Sequence, residues 1–265
     1  MAMFAAMTKT TPTPRARKGG NVFAVASGKG GVGKTWFAVT LSHALANLGQ
    51  KTLLFDGDFG LANVDIQLGL MPKHDLSGVV GGNLTLNQAA QHFDEGGFDI
   101  IAGRSGSSAL NHIPANQVQH LGNDLGVLAA SYDRVIIDLG AGMDRPTRQL
   151  TSKAGSCLVV TADEPTAMTD AYAFIKTMSK DRPGLDLRIV VNMSDSIRDG
   201  ERTYNTLRRA CEGFLGISPP LAGVIRWDKR VRDTIKQQQP LLSHAPSCVA
   251  AKDIAAIASR LLNNF

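Results

Sequence analysis

Short apolar runs and longer amphipathic stretches take turns along most of this chain. Residues 22–26, 51–55, 98–102, 134–138, 157–161, 187–191 and 221–225 are brief, β-branched or aliphatic runs that read as buried strands. Between them the apolar positions change to helical spacing. Phe37, Leu41, Ala44 or Leu45, and Leu48 recur at i, i+4, i+7/8 and i+11, and the helix ends at Gly49. A second helix is expected from near Pro114 to about residue 130, and others over residues 199–211, 229–238 and 247–262. Residues 72–97 are glycine-punctuated and irregular, with one short helix expected over 86–92. Strand–helix alternation of this kind predicts an α/β fold: a single doubly wound, mainly parallel twisted sheet with helices on both faces.

Composition adds bounds. A chain of 265 residues with 43% hydrophobic content can bury a large core, and no apolar run reaches 18 residues. Residues 1–7 are apolar but short, with no basic stretch before them, and do not read as a secretory signal. Cys157, Cys211 and Cys248 are odd in number and far apart, which suits a reducing cytoplasm and no metal cluster. His43, His74, His92, His112 and His120 fall on unrelated elements and read as surface or cap residues. The formal charge is +5, but residues 1–20 supply +4 of it through Lys9, Arg15, Arg17 and Lys18. Residues 1–19 are therefore read as a disordered basic arm and residues 20–265 as one nearly neutral domain, which gives DNA binding little support.

The candidate chemistry begins where the first strand ends. Residues 27–35 spell Ser-Gly-Lys-Gly-Gly-Val-Gly-Lys-Thr between a strand and a helix, the context that makes a G-x-x-x-x-G-K-[ST] match specific. Gly28, Gly30, Gly31, Val32 and Gly33 let the backbone turn its N–H groups inward to form an anion nest. The helix N-terminus adds its positive end. Lys34 then offers a cation to the β- and γ-phosphates of a nucleotide, and Thr35 a hydroxyl to Mg²⁺. Asp56 and Asp58, two apart at the end of the second strand, project the same way into the crevice where open α/β sheets bind ligands. One carboxylate there can hold a metal-bound water and the other orient an attacking water. Asp138 closes the apolar run at 134–137, as a magnesium-binding aspartate would. Asn192-Met193-Ser194-Asp195 after a strand also spells the frame of a guanine-reading motif, with Met193 where lysine is usual.

Lys29, inside the glycine loop, narrows the class. Gly-Lys-Gly-Gly-Val-Gly-Lys-Thr resembles the deviant Walker A loop of the MinD/ParA ATPases. Phe59-Gly60-Leu61-Ala62-Asn63 and Glu164-Pro165-Thr166-Ala167-Met168-Thr169-Asp170-Ala171-Tyr172-Ala173 are similar to the FlhG (FleN) group within that family. The resemblance covers about residues 20–262. It implies ATP and Mg²⁺ as ligands, with Asn192 reading adenine, Asp58 positioning water, and Thr35, Asp58 and Asp138 around the metal. It implies a slow ATPase whose ATP state is a homodimer, with Lys29 reaching the partner's nucleotide and Lys34 the chain's own. By the same resemblance the partners are proteins of flagellar assembly or regulation. The place is the cytoplasm; the stripe Ile254, Ile257, Ala258, Leu261, Leu262 and Phe265 of the last helix reads as packing on the sheet, with peripheral contact at the inner face of the membrane as the alternative. A ParA-like alternative uses Arg226, Lys229, Arg230, Arg232 and Lys236 on DNA. The sequence departs from the group twice: no Asp-Gln-Ala motif stands in residues 1–20, and Trp36 takes the place of a small or polar residue. Thr166 or Thr169 is the expected N-cap of the helix that the Glu-Pro-Thr stretch opens.

Overall fold

The computed structural model describes residues 20–103 and 113–263. The expected arm at residues 1–19, His112 and Phe265 lie outside them. Among the described residues the strands are β1 (Val22–Ser27), β2 (Thr52–Gly57), β3 (Gln91–Phe93), β4 (Phe98–Ile101), β5 (Arg134–Ala141), β6 (Ser156–Ala162), β7 (Asp186–Ser194) and β8 (Leu221–Arg226). They form one sheet in the order β3-β4-β2-β5-β1-β6-β7-β8. Every pairing is parallel except that of β3 with β4.

The helices are α1 (Lys34–Asn47), α2 (Val64–Gln67), α3 (Leu76–Val80), α4 (Leu86–Ala89), α5 (Ala115–Leu128), α6 (Arg145–Thr151), α7 (Pro165–Asp181), α8 (Ile197–Leu215), α9 (Lys229–Lys236), α10 (Leu241–His244) and α11 (Val249–Asn263). Alternate residues of β1 feed two cores: Val22, Ala24 and Ala26 face α5–α8, while Phe23 and Val25 face α1 and α11. Burial on both faces is why the central strands read as continuous apolar runs instead of alternating ones.

The topology also places the site. From β1 the chain crosses through α1 to β2 on one side, and from β5 it crosses through α6 to β6 on the other. Right-handed crossovers in opposite directions put α1 and α6 on opposite faces, so the loops after β1 and β5 part and leave a crevice between them.

Several expectations change. The helix expected over 86–92 stops at Ala89, and His92 stands instead on the antiparallel edge strand β3, opposite Asp99. Gly97, at φ +65°, turns that hairpin, and Phe93 packs edge-on against Phe98. His43, expected at the surface, is buried in α1, where burial holds its pKa below the usual imidazole value. The short helices α2, α3, α6 and α10 carried no sequence signal strong enough to expect. Neither Thr166 nor Thr169 caps α7: Glu164 is its N-cap residue with no side-chain capping bond to the helix, and the Thr169 hydroxyl donates to Pro165 O. The apolar stripe of α11 packs as expected: Ile254, Ile257, Ala258 and Leu261 are fully buried in the core that α1 shares.

Candidate functional site

The β1–α1 loop supplies the floor of the crevice. Gly33 is the N-cap position of α1 with a left-handed backbone at φ 82° and ψ 24°. A side chain there would be strained and would run into the Asn192 amide. Gly28 has a different reason to be glycine. An added Cβ would strike the Asp170 carbonyl, so the loop packs bare backbone against α7. Lys34 is buried, with Nζ 2.8 Å from Asp138 Oδ1. The Thr35 hydroxyl stands near Asp138 and helps to hold its pKa down, and β5, which carries Asp138, pairs directly with β1.

Lys29 takes a position the sequence did not indicate. Its Nζ donates to Glu164 Oε2 and to Thr166 Oγ1 of the same chain, both at 2.9 Å. The Glu-Pro-Thr stretch, which suggested only a helix start, thereby meets the glycine loop twice, through Lys29 and through Gly28.

Three carboxylates gather above the loop. Asp56 and Asp138 stand side by side in the β2–β5 register. Both are fully buried, and burial raises both pKa values, against the pull of Lys34 at Asp138. Asp56 is pushed up to about 7, with the neighbouring Asp138 charge adding to burial. It accepts hydrogen bonds from Asp58 N and Val64 N, which fixes the turn that carries Asp58. Asp58 in turn accepts from Leu61 N at 2.9 Å and lies against Gly140, near the end of β5.

The residues present fit a magnesium–phosphate group on one direct observation. Asp138 Oδ2 is buried with no hydrogen-bond partner, beside a lysine, a threonine hydroxyl and an open glycine loop. Such an oxygen needs a donor or a cation-bound water. Among the described residues there is no group of three or more His, Cys, Asp or Glu side chains placed to hold a metal by themselves. A metal here would therefore take phosphate oxygens and water as most of its ligands, as Mg²⁺ does.

Beside the loop lies a cavity of about 400 Å³, mostly apolar, lined by Gly33, Trp36, Asn192, Met193, Trp227 and residues of α9. Asn192 is buried and donates from Nδ2 to Val32 O at 2.9 Å, tying β7 to the glycine loop. Asp195, the acid of the guanine-type frame, is exposed and is not among the lining residues. The basic cluster is largely spoken for. Arg226 is bidentate on Asp253, Arg230 is bidentate on Asp228, and Lys229 lies 4.0 Å from Asp233.

Comparison with known proteins agrees with this geometry. Residues 23–241 match the model of the CobQ/CobB/MinD/ParA nucleotide binding domain. The chain belongs to the MinD/ParA family. It is 34% identical to the antiactivator FleN of Pseudomonas aeruginosa over 91% of this chain and 85% of FleN. It is 30% identical to the flagellum site-determining protein YlxH of Helicobacter pylori, over 94% of this chain and 84% of YlxH. The septum site-determining protein MinD of Pyrococcus horikoshii, solved with Mg-ADP, superposes with a TM-score of 0.78 at 24% identity, over 91% of this chain and 95% of that one. The MinD-type ATPase fold is thus shown, and ATP with Mg²⁺ is the ligand pair it matches. No helix among the described residues is long and apolar enough to cross a membrane.

Proposed function

We propose that this protein is an ATP-dependent dimerising switch, a slow Mg-ATPase of the FlhG type that sets flagellar number or placement from the cytoplasm. The observation that carries the ATPase reading is the buried Lys34–Asp138 pair beside Thr35, opening onto the glycine loop. The names of the FleN and YlxH relatives support the flagellar setting.

In this reading the inward backbone N–H groups of residues 28–33 bind the phosphates, and Lys34 turns from Asp138 to the β- and γ-oxygens. Thr35, with Asp138 and Asp58 acting through water, would hold Mg²⁺, which supplies charge stabilisation to the phosphates when bound. Asp58, held by Leu61 N and resting on Gly140, positions the attacking water. Asn192 has given Nδ2 to Val32 O, so its Oδ1 is left for a donor such as the adenine amino group, where guanine would present an acceptor. That difference, with Asp195 outside the cavity, favours ATP over GTP. Lys29 must move as well: it leaves Glu164 and Thr166 to reach a partner's nucleotide. Slow hydrolysis would then time the life of the dimer and of any surface the dimer presents to flagellar regulators.

The ion pairs on Arg226 and Arg230 neutralise two of the five cations that the ParA-like DNA reading would use, which weighs against it. The stripe of α11 is buried, which weighs against membrane contact through that helix.

The test is molar mass by light scattering for wild type and Lys29→Ala, each with Mg·ADP and with a non-hydrolysable ATP analogue. A dimer formed only by wild type with the analogue is the expected result. A monomer under all conditions would withdraw the switch and leave an ATP-binding fold.

A further inference from the structure

The short helix α2 is held at both ends by side chains from outside it. At its start Val64 N donates to Asp56 Oδ2, and the other oxygen of that carboxylate accepts from Asp58 N. One buried group thus fixes the turn that carries Asp58 and the first residue of α2 together. At the far end Ile66 O accepts from Gln238 Nε2 at 2.7 Å, across 172 positions of sequence. The Gln238 side chain also lies over Gly69, where an added Cβ would come within 3.3 Å of it.

Gln238 reaches α2 from a strained backbone. It follows the last turn of α9, where Gln238 N returns to Ile235 O and Gln239 N to Thr234 O. Its φ is 56°, the left-handed region that helix ends normally give to glycine. Pro240, two residues on, explains why α9 stops but not why a long side chain takes the stop position. Glutamine there costs stability that glycine would not. The fold regains little of it, since the side chain is exposed and water can replace Ile66 O as its partner. Strain kept for a bond that folding does not need points to a positioning role. The start of α9 is fixed as well: Asp228 accepts from Arg230 N and from Val249 N at the head of α11. Between its two ends, Val231, Arg232, Ile235 and Lys236 line the cavity beside the glycine loop.

We propose that Gln238 is a positioning residue for hydrolysis: it braces α2 against α9 and, through α2, holds Asp58 where it orients the attacking water. The inference rests on the Mg-ATPase reading, and on the role of Asp58 in particular. It adds a residue that belongs neither to the glycine loop nor to the cavity lining. A brace placed outside both ends of the site acts on the rate of the chemical step and not on affinity.

The experiment separates rate from binding. Single-turnover ATP hydrolysis is followed as phosphate release for wild type, Gln238→Glu and Gln238→Gly, and for each change combined with Asp58→Ala. Glutamate keeps the shape but cannot donate to Ile66 O, while glycine removes the side chain and relaxes the left-handed backbone. Both single variants should hydrolyse ATP about fivefold more slowly, the effect of one lost hydrogen bond. Calorimetric affinities for Mg·ATP and for Mg·tripolyphosphate, which has no base, should stay within about twofold of wild type. Gln238→Gly should unfold at an equal or higher urea concentration, so that its slower turnover is not a loss of fold. On the Asp58→Ala background neither change should slow turnover further. Unchanged turnover in both single variants would overturn the brace while leaving the ATPase reading intact. So would a loss in Gln238→Glu alone, which would trace to the new charge, or a loss explained by weaker binding. Equal fold losses with and without Asp58 would overturn it by placing the effect elsewhere. A wild type that hydrolyses no ATP, or that Asp58→Ala does not slow, would remove the reading beneath it and the brace with it.

Discussion

The two ends of the proposed nucleotide site are built by opposite means. The proposed phosphate end is one continuous stretch, residues 27–35, which offers backbone N–H groups, and its candidate side chains are adjacent in sequence. The base end is assembled from α1, β7, the β8–α9 junction and α9, across roughly two hundred residues. Phosphates demand a cage of N–H groups, which few backbone shapes provide, so the sequence that makes one is recognisable. A flat ring asks only for an apolar slot and one or two polar contacts, which many residues can supply.

Breaking the phosphate end should therefore have the larger effect. Lys34→Ala removes the buried cation and should weaken Mg·ATP about a hundredfold or more by calorimetry. Retained wild-type binding would show that the loop amides suffice. Asp58→Ala should leave ATP binding within a few-fold of wild type while turnover falls about a hundredfold, measured as phosphate release. At the base end, Asn192→Ala should cost ATP about tenfold and leave tripolyphosphate unaffected, unless its bond to Val32 O also shapes the loop. A loss for both ligands would show that the two ends are mechanically one.

Asp56 offers a test of the site without nucleotide. Its ordinary pKa is 3.8 and its folded value is about 7. Between those values the unfolded chain gives up the proton while the folded chain keeps it, so this group makes the fold less stable as pH rises from about 4 to 7. Asp56→Asn should gain on the wild type by about 1 kcal/mol for each pH unit across that window in urea unfolding, with no further change above it. A constant difference at all pH values would mean that the carboxyl is ionised in the fold throughout. The smallest effect is expected at the rim. Glu164→Gln breaks an exposed ion pair to Lys29, and should strengthen ATP-dependent dimerisation only about two- to fivefold. A weaker dimer would show that Glu164 still holds Lys29 when two chains meet.

Legibility followed the same division. The central strands, α1 and the glycine loop were readable because each is a local pattern: an apolar run, a 3.6-residue stripe, a turn that needs glycine. Asp138 and Asp58 were readable because strand ends in a parallel sheet point at a common crevice. The edge hairpin at β3 was missed because a three-residue strand carries no period. His43 was misplaced because α1 is covered on nearly all sides, by the sheet and by α11, so that its stripe no longer marks which residues face water. Gly28 was read as a turn residue, but its reason is a close approach from α7.

By itself the sequence determined the glycine loop proposed as the phosphate cradle, its lysine and threonine, the carboxylates that face them and the doubly wound order of strands and helices. These depend on neighbours in the chain and on the fixed hand of the crossovers. Only the tertiary structure decided what surrounds them. It set Lys29 on Glu164 and Thr166, brought Trp36 and Trp227 to one cavity, and paired Arg226 with Asp253. Such contacts join residues from 27 to nearly 200 positions apart. No local period encodes them, because they arise when separately formed elements pack.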